Sequence, residues 1–544
     1  MLHNICLHKE NNLSKYKIMC GIFAYNGSDM KIGSLEPWFM KIQHRGPDYS
    51  ELKEISDELF FGFHRLAING LNVASHQPMH LQGCWLIANA EIFNYKQLAA
   101  QFDIKLQTDS DCEILIHLYR KVGMPGLLEL LDAEFAFLLY DEISGELFAA
   151  RDHLGIRGMY TAWDDKGNRA WASEAKALVF MESMEHFPPG HWYSSKTDEI
   201  TPYYQHEYGV HDEFDEERLF EQIRYLLTDA VQKRIMSDRP IGCLLSGGLD
   251  SSLIAALVAK HYDKPWPLET FSVGLKGSPD LYHAAKVAEH IGSKHHSVEL
   301  TEEEFIAGLE ETVYITGSYD VTTIRASVGH MLISRYVRDH SDVKVLFSGE
   351  TADEFGSYLY FQNAPDADAF QEEATRLLQD IHYFDMLRGD RSISQAGIEA
   401  RVPFADKAFV RFYMGIDPSL RMFNQERMEK YLIRKAFESD GLLPEEVLWR
   451  RKNGFSDSVS SKTRSWSEII KEYIDSKVSD EEFEQGKHKY KHDTPKFKEA
   501  YFYRELFTKH YKHHQELTPY QWLPKWCGDM VDPSARKLAI YEAD

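Results

Sequence analysis

The stretch IGCLLSGGLDSSLIAALVAKHY, residues 241–262, decides the fold. IGCLLS is an apolar run of strand length, and DSSLIAALVAKHY reads as a helix. Between them a strand turns into a helix through Ser246, Gly247, Gly248, Leu249 and Asp250. Glycines at such a turn let backbone N–H groups approach an anion, the helix N-terminus adds its dipole, and a carboxylate there can meet a divalent cation. The loop lacks the lysine of a Walker A sequence and no GxxxxGK[ST] occurs elsewhere, which argues against P-loop chemistry.

Downstream the rhythm continues as ETFSVGL (269–275), DLYHAAKVAEHIG (280–292), HHSVEL (295–300), a helix opening at Thr301 with Glu304 placed for a capping box, and VKVLFSGE (343–350). Strands alternating with helices predict a parallel sheet with crossover helices, a doubly wound α/β domain. From about Asp380 the pattern is predominantly helical. Upstream, residues 205–215 are acidic and polar, and the helix after them sets Leu219, Ile223, Leu226, Leu227 and Ala230 on one stripe, so the domain boundary falls there. Before it, CGIFAY, LFFGFHRLAI, CWLIANAEIF, EFAFLLYD and ELFAARD read as strands, and only DCEILIHLYRKVG (111–123) as a helix. The predicted organisation is an extension at 1–19, one domain at 20–205 and a second at 216–544.

The chain has 544 residues, with 61 Lys+Arg against 85 Asp+Glu, a formal net charge of -24. Such a field repels phosphate, so nucleic acid and anionic membranes are not expected partners, and an anionic substrate needs a local cation or a metal. With 43% hydrophobic residues there is enough apolar side chain for real cores. The apolar runs, such as Phe135 to Tyr140, fall far short of the roughly 20 residues that span a bilayer. Residues 1–18 lack both an apolar leader core and an Arg-rich, acid-poor pattern. Six cysteines without CxxC spacing suit a reducing cytoplasm. His488 with His492, and His510 with His514, have i,i+4 spacing but lysine neighbours and no carboxylate or thiolate companion, so no structural zinc is assigned.

A second set of motifs lies in the first domain: Met19-Cys20-Gly21-Ile22-Phe23, HRGPD (44–48), HRLAI (64–68), NAEIFN (89–94) and SDCE (110–113). In order and spacing this set resembles the class II glutamine amidotransferases, whose mature chain begins at the cysteine. SGGLDSS resembles the loop of the N-type ATP pyrophosphatases. With TFSVGLKGSPDL, YDVTTIRAS, SGETADEFG and GIEARVPF it is similar, over nearly all of the chain after residue 19, to the glutamine-hydrolysing asparagine synthetases.

The resemblance implies an N-terminal nucleophile hydrolase with two stacked antiparallel sheets, an αββα sandwich, followed by the doubly wound synthetase domain. It implies ATP-dependent conversion of aspartate to asparagine with glutamine-derived ammonia, through β-aspartyl-AMP, giving AMP, pyrophosphate and glutamate. Cys20 is the implied nucleophile; its own α-amine, with a pKa of about 7.7 to 8.0, would take the thiol proton. Arg65 offers a fork for the glutamine α-carboxylate and Asp111 a carboxylate for its α-ammonium, with Leu66, Ala67, Ile68, Asn69 and Glu91 lining the substrate. Asn89 and the Ala90 N–H would form the oxyanion hole.

In the second domain Ser246, Gly247, Gly248, Asp250, Ser251, Leu244, Val273, Ser348 and Gly349 map to the ATP site. Asp250 and Asp353 map to Mg2+ ligands, Glu350 to the base beside the adenylate, Lys452 to a lysine facing the reacting phosphorus, and Thr322, Thr323 and Arg325 to aspartate. The implied partners are glutamine, aspartate and ATP, with a homodimer left open. A ligase for another carboxylate and a catalytically impaired relative are the alternatives.

The sequence departs from the family at several points. Ala90, Thr351 and Ser357 stand where glycine is usual, Ala352 where serine is, Gly158 where proline is, and Asn453-Gly454 also differ. The residues before Cys20 matter most, because an amide nitrogen there cannot act as a base. A translation start at Met19, followed by removal of that Met, is the expected resolution.

Overall fold

The computed structural model describes residues 20–211, 215–424, 427–451, 460 and 464–532. Lys452, Asn453 and Gly454 lie outside the described residues.

Two six-stranded antiparallel sheets build the first half. One runs in the order Ser183–His186, Tyr160–Trp163, Arg169–Ala172, Gly21–Asn26, Leu59–Arg65, Tyr49–Glu54. The other runs Glu199–Pro202, His191–Ser194, Glu146–Arg151, Ala133–Asp141, Cys84–Ile92, Met79–Leu81. Side chains alternate across a strand, and here the alternation sorts them into layers. Ile22, Ala24, Phe61 and Phe63 of one sheet meet Ile87, Ala136, Leu138 and Ala149 of the other in one core. The intervening Phe23, Tyr25 and Phe60 pack outward against Leu35, Phe39 and Ile42. Leu86, Ala88, Phe137 and Leu139 pack outward against Ile114, Leu115 and Leu118. Both faces of each sheet are therefore buried, which is why these strands read as nearly unbroken apolar runs.

Sequence reading missed two outer-layer helices, Ile32–Phe39 and Tyr95–Gln101. Both are short and lack a side-chain N-cap, and the first contains Pro37. The expected helix at 111–123 extends as Glu113–Leu130, broken at Gly123, where φ is 71°.

The second half holds a five-stranded sheet in the order Lys294–Leu300, Glu269–Leu275, Ile241–Leu244, Val345–Phe347, Glu399–Arg401, all parallel. The chain enters in the middle, winds outward to one edge, then returns to wind toward the other. The direction reverses between Ile241–Leu244 and Val345–Phe347, and in open α/β sheets the crevice beyond such a switch point is where ligands bind. The capping box at Thr301 and Glu304 is formed, starting helix Glu302–Thr316. Helix Glu216–Arg234 buries Leu219, Ile223, Leu227 and Ala230 as the stripe predicts. Glu399–Arg401 is a strand inside a region read as helical; its charged residues hid it, and they are buried because they find partners. Among the described residues no helix is long and apolar enough to cross a membrane, and the five cysteines are free.

Those partners form a seam of buried charge between the halves. Arg401 donates to Glu399 at 2.9 Å and, from its other arm, to Glu91 of the first half at 2.9 Å. Arg157 pairs with Glu134 at 3.1 Å and with Glu399 at 3.5 Å. Arg234 closes the set, donating to Glu134 and to Asp406 at 2.8 Å each. Desolvated charges of this kind are tolerated only when each is paired. Replacing Arg234 by Met removes a shared cation from two carboxylates, and breaking a buried pair typically costs about 3–5 kcal/mol. R234M is expected to show a clearly lower melting temperature in calorimetry; a melting temperature equal to that of the parent would contradict the role given to the seam.

Candidate functional site

The first group of candidate residues gathers around Cys20, one residue before the strand Gly21–Asn26. Its Sγ is 3.4 Å from both the N–H and the carbonyl oxygen of Leu66. Its carbonyl accepts from Arg45 Nε at 3.1 Å. Burial pushes the thiol up to about 12, with Glu399 and Glu91 adding to the rise and Leu66 and Arg65 opposing it. No histidine or carboxylate among the described residues hydrogen-bonds the sulfur, so no side chain is placed to take its proton.

Asn89 lies in the strand Cys84–Ile92, and its Nδ2 is buried without a hydrogen-bond partner. On the same strand the N–H of Ala88 is bound by Gln77 and that of Ile92 by Asp111 Oδ2 at 2.7 Å. Alternation sends the Ala90 N–H to the same edge, between those two. Ala90 keeps a negative φ, so the missing glycine costs no backbone strain there. Asn89 thus carries an orphan donor, which buried polar groups rarely are.

Asp111 is buried, and burial raises its carboxyl to about 6 against the hydrogen bond from Ile92. Arg65 is held by the carbonyl of Asn72 at 2.9 Å and by that of Gly70. Asn69 donates to Glu91 at 2.7 Å, and Ala67 N–H to Asp48 at 3.0 Å. Leu66 and Ile68 are buried in the core that runs into the second half.

The second cleft sits at the switch point. Leu244, Ser246, Gly248, Asp250 and Ser251 line it from one strand end, Ser348, Gly349, Glu350 and Asp353 from the other, with Val273 on the wall. Gly247 has φ 72°, a left-handed conformation that suits glycine, and its carbonyl accepts from Arg450 at 2.9 Å. A Cβ on Gly349 would come within 2.6 Å of Ser251 N, so the two loops touch backbone to backbone.

Glu350 accepts from Ser348 at 3.2 Å and Arg388 at 3.1 Å; burial raises its pKa, and Arg388 opposes the rise. His330, 3.5 Å away, is kept neutral by burial, its pKa pulled down to about 3. Lys430 Nζ bridges Asp250 and Asp353. Asp250 Oδ1 remains buried without a partner.

Thr322, Thr323 and Arg325 do not reach this cleft. They occupy the first turns of helix Val321–His340, whose His330 and Ile333 do line it. The Arg325 guanidinium is gripped by both oxygens of Glu499, at 2.9 and 2.7 Å, and by Asp532 at 2.8 Å, beside a separate cavity. Lys430 and Arg388 were missed from sequence, and Arg45, inside the HRGPD motif, was given no role of its own. Each is a single basic residue, and only the fold supplies its carboxylates.

The switch-point cleft and the Cys20 loop share one helix, Asp385–Ser394. Arg388 reaches Glu350, and Asp390 takes a two-pronged contact from the fully buried Arg45, at 2.8 and 3.0 Å, next to the Cys20 carbonyl.

The sequence profile described as Asparagine synthase matches residues 222–366 and 361–532, and the one described as Glutamine amidotransferase domain matches 19–231. The chain is 40% identical over 560 aligned positions to "Asparagine synthetase [glutamine-hydrolyzing]" of Gallus gallus, covering 96% of this chain and 99% of that protein. The protein of the same name from Mus musculus is also 40% identical with the same coverage. Among solved structures, one described as the allosteric regulatory enzyme of purine biosynthesis is 15% identical, with a TM-score of 0.31, covering 52% of this chain and 80% of that one.

Two measurements follow from the geometry. Thr351, where the resemblance puts glycine, has φ 80° and a buried hydroxyl without a partner. A β-branched residue in that region stores roughly 1–3 kcal/mol. T351G is expected to raise the melting temperature, and a lower one would show the position unstrained. In a chain retaining residues ahead of Cys20, alkylation of this thiol by iodoacetamide at pH 7.5 should be at least about a hundredfold slower than that of a free thiol with a pKa of about 8.5. The rate should keep climbing beyond pH 10; a plateau near pH 8 would place the thiol in an activated environment instead.

Proposed function

Because the chain belongs to the family of glutamine-hydrolysing asparagine synthetases, we propose that it makes asparagine from aspartate and ATP with ammonia released from glutamine. The observations that carry the glutaminase half are a buried Asn89 Nδ2 left without a partner and a Cys20 thiol whose hydrogen bonds go only to the Leu66 backbone. In the mature chain Cys20 is the first residue, and its amine accepts the thiol proton. The sulfur attacks the glutamine amide carbon, and Asn89 and Ala90 hold the negative oxygen. Ammonia leaves with the proton from the amine, and water cleaves the thioester to glutamate. Arg65 and Asp111 hold the α-carboxylate and α-ammonium.

In the second cleft, the Ser246–Ser251 loop and Ser348-Gly349 hold the triphosphate, with Leu244 and Val273 against the base. The aspartate side-chain carboxylate attacks the α-phosphorus, pyrophosphate leaves, and β-aspartyl-AMP forms. Ammonia then attacks the activated carbonyl and AMP leaves. Glu350, made more basic by burial while Arg388 favours its charged form, takes the surplus proton. Asp250 and Asp353, with an unpartnered carboxylate oxygen between the two loops, suit Mg2+, which prefers one or two carboxylates plus phosphate oxygens. Bound Mg2+ would neutralise charge on the departing pyrophosphate. Lys452 faces the phosphorus by resemblance. Aspartate contacts from Thr322, Thr323 and Arg325 require Arg325 to leave Glu499 and Asp532; Arg388, already in the cleft, is the nearer cation.

The test pairs the intact mass of protein from its native source with asparagine formation from glutamine or ammonium. A mass starting at Cys20 with glutamine-dependent synthesis is expected, and C20A should lose glutamine use while keeping ammonium use. A retained N-terminal extension with ammonium use alone would remove the glutaminase half, and no pyrophosphate release with aspartate would remove the synthetase half.

A further inference from the structure

The two carboxylates assigned above to a divalent cation are already bridged by a cation of the chain itself. Lys430 Nζ reaches Asp353 Oδ1 at 2.5 Å and also contacts Asp250 Oδ2. The side chain is 2% exposed. It comes from a residue with left-handed φ, 58°, just before the helix Tyr431–Phe437. The backbone there is pinned by Arg434, which donates to the Glu429 carbonyl at 2.9 Å and pairs with the Glu429 carboxylate. Lys430 therefore has a fixed root and, beyond it, a four-carbon stem with rotatable bonds.

The charge count around the cleft is unbalanced. Among the described lining residues, seven carboxylates face five lysine and arginine side chains. One ammonium spans Asp250 and Asp353, and Asp250 Oδ1 keeps no hydrogen-bond partner. A triphosphate entering beside Asp250 and Asp353 brings its anionic oxygens toward two carboxylates, and a cation that enters with it lowers that repulsion. A metal ion and an ammonium cannot occupy the space between the same two carboxylates.

We propose that Lys430 is a displaceable internal counter-cation. Mg2+ arriving with the nucleotide evicts its ammonium from Asp250 and Asp353, and the freed ammonium swings onto the polyphosphate, where it holds the pyrophosphate until release. In the empty enzyme it shields the carboxylates and weakens binding of metal alone, so that metal and nucleotide enter together. No bond is made or broken in this exchange and the lysine stays protonated. The inference rests on the reading of Asp250 and Asp353 as the cation site.

The test uses the full chain and Mn2+ alone, followed by electron paramagnetic resonance. K430M is expected to bind Mn2+ at least tenfold tighter than the parent, and D353N to lose that binding. Equal or weaker binding by K430M overturns the exchange, whereas Mn2+ binding unchanged in D353N overturns the cation-site reading and the inference with it. Should K430M fold poorly, the parent enzyme answers the same question. Acetic anhydride labelling of Lys430, read by peptide mass, should rise several-fold with Mn2+ and fall again with Mn2+ plus pyrophosphate. Labelling that ignores the metal overturns the proposal.

Discussion

The constraint on which the rest depends is the pairing of buried charge between the two halves. Arg157, Arg234 and Arg401 are almost fully removed from water, as are Glu91, Glu134, Glu399 and Asp406. None of these is stable in a low-dielectric interior alone, and while each half pairs part of the set internally, Arg401 with Glu91, Arg157 with Glu399 and Arg234 with Glu134 meet only when the two halves dock. The seam is thus a registration device as much as an energetic one. It fixes the strand carrying Asn89 and Glu91 against the edge strand Glu399–Arg401, and so fixes one cleft relative to the other.

That registration explains how a thiol can be both buried and useful. Removal from water raises the Cys20 thiol, and no neighbouring side chain reverses the effect. In the proposed reading the amine of the same residue does so, which keeps the cleft free of a second titrating group.

The local pattern carried much of the fold into view. Short apolar runs bounded by turn residues gave the long strands of the sandwich, and the alternation of strand and helix gave the parallel sheet, because both are consequences of near-neighbour burial. The short helices Ile32–Phe39 and Tyr95–Gln101 were invisible for the same reason: without a cap or a long stripe, only tertiary packing decides them. The loops at 246–252 and 348–353 were legible as a site because glycine and carboxylate cluster in sequence. Lys430 was not, since its carboxylates lie 180 and 77 residues away. The expected role of Arg325 met a similar obstacle: Glu499, which occupies its guanidinium, is 174 residues distant. Long-range ion pairs leave no periodic trace.

The helix Asp385–Ser394 gives the molecule a single beam resting on two bearings. Arg388 and Asp390 stand two residues apart on it, one seated against Glu350 and the other against Arg45 and the Cys20 loop. A helix of ten residues in a close-packed interior moves as a body rather than bending along its length. The alignment of either cleft is therefore a gauge of the other, and a shim inserted under one bearing must be felt at both.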